Sequence, residues 1–404
     1  MTRRLATISA AIALTLFTLT GCGGSGAPET EGDVLDVNVG AEVEDLDPQV
    51  LTGIPEHRVT SALFEGLADI DPKTLEAVPG VAKSWDISED GTVYTFHIRE
   101  DARWSNGDPI TAEDFVYSWQ RVLSPGLAAE YAYLLHHIKN ARPYNNGEIE
   151  DFTQVGVKAL DPRTLEVTLE SAIPYFLHLQ FHQSYYPVHR ATIEAHGAMD
   201  QRGTRWTRAG NHVGNGPFRL VEWRPNEYIA TEKNPYYWDN EAVRLDGIRF
   251  YPINQLQTEE RSFRNGELDM TESLPLNKVE YYQQNNPEVF MNGPYWATYF
   301  YRFNTSRPPF DDVRVRKAFA MAIDRTVITE DLLKAGEQPA HFLSPPNPQG
   351  YTCTSEIPEN IEQARALLAE AGYPNGQNFP QAEVLYNTSE NHKLIAEAIQ
   401  RMWK

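Results

Sequence analysis

Residues that could do chemistry are plentiful in this chain, but their spacing does not group them for a reaction. There is no G-x-S-x-G elbow, no G-x-x-x-x-G-K-[ST] loop, no H-E-x-x-H, no C-x-x-C and no G-x-G-x-x-G. His178 and His182 are four apart and could share a helix face as a metal pair does. No Cys or carboxylate is obviously placed to complete the set, so they read as structural or surface residues. His136 and His137 are adjacent, point to different faces, and read as structural. Carboxylates are abundant, but no pair is set apart for acid–base work. The expectation is no catalytic residue, no metal ligand and no cofactor. What stands out is aromatic: 20 Tyr and 8 Trp among 404 residues. A tyrosine has a broad apolar face and one polar tip, which suits either a core or a site that grips varied ligands. For Tyr236, Tyr237 and Trp238 the core is expected. For Tyr295 to Tyr301 both roles stand open.

Composition narrows the classes. A formal net charge of -21 repels phosphate backbones and argues against nucleic-acid binding. The same charge keeps a protein soluble and monomeric. The 41% hydrophobic and 23% charged content is that of a globular protein, and the length suggests two or three domains. Arg3 and Arg4 precede an apolar run, Leu5 to Leu19, that is short for a membrane span. The run ends Leu19-Thr20-Gly21-Cys22, which resembles a bacterial lipobox and implies cleavage before Cys22 and lipidation of its thiol. Several acyl chains would anchor the protein, each buried methylene contributing about 0.8 kcal/mol. Gly23 to Gly32 reads as a flexible tether. Cys353 is then left alone, either buried and inert or paired outside this sequence.

The elements that could position a site alternate between strand and helix, an α/β pattern. Val34 to Val39 alternates as a first strand, and Val59 to Leu67 reads as a helix. Tyr94, Phe96 and Ile98 alternate with Thr95, His97 and Arg99 as a half-buried strand. Asn106-Gly107-Asp108-Pro109 is a turn. Thr111 caps a helix with Glu113 and Asp114 in its first turn and Phe115, Trp119, Val122 and Leu123 on one face. Tyr131 to Ile138 reads as helical, Gly156 to Leu169 as two strands around Asp161-Pro162, and Ile173 to Phe176 as the start of a helix. Strands are expected with Leu220 and Trp223, over Ile248 to Tyr251, over Tyr295 to Phe303 and at Leu385. Asp312 to Ala318 opens a helix with Phe319, Ile323 and Val327 on one face; Glu362 to Glu370 forms another. A last helix carries Leu394, Ile395, Ala398, Ile399 and Met402. It reaches Trp403 with no stop signal, so the sequence reads as C-terminally incomplete, with apolar faces left uncovered.

Specific wording adds a resemblance. The stretch Phe96 to Trp119, F-x-I-R-E-x-A-x-W-S-N-G-x-P-I-T-A-E-D-F-V-Y-S-W, closely resembles the signature of the family 5 extracellular solute-binding proteins of ABC importers. Leu46-Asp47-Pro48, Phe64-Glu65-Gly66-Leu67, Pro79 to Trp85, Lys233 to Asp239 and Gly266 to Met270 are similar to further phrases of its oligopeptide- and murein-peptide-binding branch. The resemblance implies a periplasmic-binding-protein type II-like α/β fold, with two closing lobes, an inserted domain and mixed sheets. It implies a signal peptide over 1–21, a lipidated tether over 22–33, lobe I over 34–64 and 188–294, an inserted domain over 65–187, and an incomplete third lobe over 295–404.

The function so implied is capture of oligopeptides at the periplasm or cell surface and delivery to ABC permease subunits. The protein would sit at the membrane through its lipid, without catalysis. By motif match, Thr52, Gly53 and Ile54 offer backbone to the ligand, Tyr131 lines the cleft, and Tyr295 and Phe300 fall on pocket tyrosines. His392 matches a histidine that helps receive a peptide carboxylate, or is a solvated helix residue. The match departs at Glu272 (a pocket tyrosine in the oligopeptide binders), Arg302 (a glutamate) and Ala297 (a disulfide cysteine). An aspartate for the peptide's α-amino group is expected beyond Lys404. Other solutes of the same fold remain rivals, namely a nickel chelate, haem or an oligosaccharide, as does a secreted hydrolase.

Overall fold

The computed structural model describes residues 32–293, 295–345 and 351–404. The expected signal peptide, Cys22 and the tether before Gly32 lie outside the described residues. Two four-stranded sheets organise the first two-thirds of the chain. The first has the order β1 (Val34–Asn38), β10 (Gly247–Tyr251), β9 (Tyr228–Lys233), β8 (Phe218–Arg224). β1 pairs with β10 in parallel and the other pairs are antiparallel. The second sheet is antiparallel, in the order β4 (Ala82–Ile87), β5 (Val93–Ile98), β7 (Thr164–Thr168), β6 (Val157–Asp161). A small hairpin, β2 (Ala68–Ile70) with β3 (Ala77–Pro79), leads into it.

Strict alternation in β5 places Tyr94, Phe96 and Ile98 inward, with Phe176 packed 4.8 Å from Tyr94. Helix α2 (Ala112–Leu123) lies against this sheet. Its Thr111–Asp114 capping box satisfies two otherwise orphaned N–H groups, and Phe115, Trp119, Val122 and Leu123 are buried. Burying each of these large side chains contributes about 2 kcal/mol. The preceding turn needs Gly107, whose φ of +92° favours a residue without Cβ. A separate core gathers Val39, Val59, Leu63, Phe64, Tyr186, Val188, Trp206, Phe218 and Phe250 on the β1–β10 sheet. Helix α2 joins the two cores. Trp119 Nε1 donates to the Tyr185 carbonyl at 3.0 Å, and Val188 N–H donates to Ser118 Oγ at 2.8 Å.

Several expectations are corrected. The helix expected over 59–67 is α1 (Ile54–Leu63). Pro55 starts it, because proline's missing N–H costs nothing in a first turn, and Phe64 to Leu67 runs on as loop. Tyr131 to Ile138 is a 3₁₀ helix over Ala132–His137. The aromatic run 295–303 and the segment at Leu385 are not strands. β-propensity makes a strand only where another edge completes its ladder, and none among the described residues pairs with either segment. Tyr295 is 87% exposed and Leu385 89%. The helix opened by Asp312 ends at Met321 and buries Val315, Ala318 and Met321 rather than Phe319, Ile323 and Val327. Val327 instead begins a π-helical turn, Val327–Leu333. The last helix, Glu390–Met402, buries Ile395, Ala396, Ala398 and Ile399.

Candidate ligand-binding cleft

The N-terminus of α1 is the best-defined part of the site. Gly53 is its cap and is extended (φ -85°, ψ 150°). Buried Glu56 turns back beneath it, its Oε1 accepting the Glu44 N–H at 3.1 Å, and a carboxylate in the first turn suits the helix dipole. A Cβ on Gly53 would lie 1.9 Å from Glu56 Oε2, so glycine here permits the close approach of backbone and carboxylate. Thr52, Gly53 and Ile54 thus border open space, and Ile54 is 60% exposed.

That space is a cavity of about 390 Å³, which Tyr131 lines as well. The structure therefore brings together four of the residues expected from the sequence. Tyr131 meets His182 edge-to-face at 4.9 Å, and His57 meets Phe181 edge-to-face at 6.3 Å. His182 Nδ1 accepts the Ser184 N–H at 3.2 Å, and burial pushes its pKa down to about 4, so the ring is neutral at neutral pH. Burial also lowers His57, with adjacent Arg58 adding to the effect. His178 Nε2 donates to the Leu75 carbonyl at 3.1 Å, which fixes its tautomer. Reading His178 and His182 as structural or surface residues missed that both also line this cavity, as do His57, Phe181 and Gln183. Only His57, four residues after Gly53 and so one helical turn on, carried a signal in its spacing. Among the described residues no group of His, Cys, Asp or Glu is arranged to hold a metal ion. The cavity offers aromatic and imidazole rings, backbone and apolar side chains.

A second cavity, about 280 Å³, opens where Met270 bridges in parallel to Val37. Glu272 borders it and pairs with Arg58 of α1 at 3.2 Å. The buried Glu259 carboxylate accepts the N–H groups of Glu272 and, at 3.2 Å, Ser273; burial raises its pKa while these bonds and Asn38 oppose the shift. His392 stacks on Tyr299 with ring centroids 4.6 Å apart, and its Nδ1 donates to Asn387 Oδ1. Burial lowers the His392 pKa, and the Glu272 charge acts on it in the opposite sense. Tyr295, Phe300 (53% exposed) and Arg302 line neither cavity and remain at the surface. Tyr236 is 44% exposed, whereas Tyr237 and Trp238 hydrogen-bond the buried Glu65. Cys353 is half-buried, and its thiol lies 3.7 Å from the Ser355 carbonyl.

Mixed sheets flank two cavities, one of backbone, rings and apolar side chains and one that also carries the Arg58–Glu272 pair. The chain belongs to the bacterial extracellular solute-binding proteins, family 5, whose "Middle" model matches residues 76–404. It is 40% identical over 392 residues to the periplasmic oligopeptide-binding protein OppA of Escherichia coli K12, covering 94% of this chain and 70% of that one. The structure of the Escherichia coli murein tripeptide-binding protein MppA superposes with a TM-score of 0.85 at 38% identity, covering 93% of this chain and 73% of that one. The unliganded open form of MppA gives 0.66, with 93% and 72% covered. Haemophilus influenzae OppA in complex with RPPGFSPFR gives 0.84 at 35% identity, over 93% and 73%. The periplasmic-binding fold expected from the sequence is thus the fold observed. The TM-score is thus higher against the peptide complex than against the open form.

Proposed function

We propose that this protein is the extracytoplasmic peptide-capturing component of an ABC importer, delivering oligopeptides to the permease by closure of two lobes. The carrying observation is the junction of Thr52–Ile54 with Tyr131 around one cavity lined by aromatic and imidazole rings. Backbone at a helix start can pair with a peptide backbone irrespective of its side chains, and uncharged rings accept varied ones. The magnitudes are adequate. Micromolar binding needs about -8 kcal/mol. Backbone hydrogen bonds contribute roughly 0.5–1.5 kcal/mol each and charge-assisted bonds at peptide termini about 1.5–3.

In this reading Thr52, Gly53, Ile54, Tyr131, Glu272, Tyr295, Phe300, Arg302 and His392 contact the ligand. The segments 34–64 and 188–294 act as one lobe, 65–187 as the inserted domain and 295–404 as part of the opposing lobe. Cys22 carries the lipid, and the protein works as a membrane-anchored monomer in the periplasm or at the cell surface, without catalytic turnover. Similarity to OppA and MppA supports the peptide as solute, and the likeness to the peptide complex supports closure. Native mass spectrometry of the soluble form, purified without refolding, tests this. Co-purified peptides of narrow length range are expected. A bare protein that gains mass only with a nickel chelate, haem or a sugar would reassign the solute, and peptide hydrolysis would overturn the non-catalytic role.

A further inference from the structure

The two cavities differ in charge. The first is lined by no carboxylate, lysine or arginine, whereas the second has Arg58 and Glu272 as its only charged lining residues. Its lining is mostly apolar: Leu35 and Val37 from β1, Val39 just after it, and Ile248 and Phe250 from β10. Glu272 is held from behind. Its backbone N–H and that of Ser273 are accepted by buried Glu259, and its side chain lies beside Gly40, within ordinary van der Waals reach of a Cβ built there. Arg58 projects from α1 on a long side chain, and both side chains of the pair are partly exposed, Arg58 at 37% and Glu272 at 33%. The pair is therefore anchored differently at its two ends: Glu272 is held through its backbone by Glu259, whereas Arg58 reaches it on a longer side chain that can swing out.

Resting on the peptide-capture reading, we propose that Glu272 is a specificity-determining residue and that this cavity takes the long cationic side chain of a bound peptide. The methylene stem of a lysine or arginine would lie along the apolar lining, as such stems do on apolar surfaces, while its head replaced Arg58 on Glu272. An acidic side chain would instead have to take Arg58 away and leave two carboxylates side by side, the arrangement like charges disfavour. The net charge of -21 draws cationic peptides in the same direction over longer range.

The test uses alanine-based tetrapeptides bearing Lys, Leu or Glu at one position in turn, titrated calorimetrically into the soluble protein, Glu272→Gln and Arg58→Ala. At one position the wild type should bind Lys over Glu by about tenfold, Glu272→Gln should remove most of that ratio, and Arg58→Ala should raise it. Equal ratios in all three proteins would overturn the assignment. Arg58→Ala keeps the test decisive if Glu272→Gln does not fold. Failure of the wild type to bind any of the peptides would overturn peptide capture itself, and this assignment with it.

Discussion

Arg121 and Asp47, 74 residues apart, meet as a buried bidentate pair: Nη2 to Oδ2 at 2.6 Å and Nη1 to Oδ1 at 3.0 Å, with side chains 0% and 3% exposed. Gln49 Oε1 and the Met199 carbonyl, each at 2.7 Å, accept further guanidinium protons. The pair ties the Leu46-Asp47-Pro48 phrase to α2, and through it α1 to the second sheet. Asp47→Ala would leave a buried, unpaired guanidinium, so a loss of about 3–5 kcal/mol is expected in urea unfolding. A loss below about 1 kcal/mol would mean water reaches Arg121.

Gly53→Ala should separate binding from stability. The new Cβ displaces Glu56 from beneath the helix start and breaks its bond to the Glu44 N–H. Peptide affinity should fall at least about tenfold, while the stability loss stays near that of one hydrogen bond, about 1 kcal/mol. Unchanged calorimetric affinity would remove the 52–54 backbone from the site.

Glu65 should give the protein a stability that falls with pH. It accepts from Tyr237 at 2.5 Å and Trp238 at 2.8 Å, yet burial dominates and lifts its pKa from 4.5 to about 7. The folded state therefore binds this proton more tightly than the unfolded one. Its contribution is fully present below about pH 4.5 and lost as pH rises through about 7, an effect of order 3 kcal/mol. Comparing urea midpoints of wild type and Glu65→Gln from pH 4.5 to 8 isolates it; parallel curves would show that Glu65 is already ionised.

Tyr131 lines the first cavity and meets His182 edge-to-face. Tyr131→Ala should weaken peptide binding about tenfold, and Tyr131→Phe should retain most of the affinity if the face matters more than the hydroxyl. Equal losses in both variants would instead assign a hydrogen bond to the hydroxyl.

Much of the frame was legible in local pattern. β5, the β6–β7 pair and capped α2 follow from alternation, a proline turn and a capping residue, all short-range physics. The family wording further pointed to Thr52–Ile54 and Tyr131. The aromatic run 295–303 misled because its aromatic β-propensity is local, whereas a ladder partner is not a local property. The α1 boundary misled because Pro55 at a helix start outweighs the apolar run that follows.

The sequence by itself determined the charge, the absence of local catalytic motifs, the period of most elements and the family. Only tertiary structure decided that His57 and His182 share a cavity with Tyr131, and that Glu272 faces Arg58 across 214 residues. These depend on burial and on contacts between distant segments. Burial also sets whether an imidazole stays neutral, and contact decides which guanidinium a carboxylate meets.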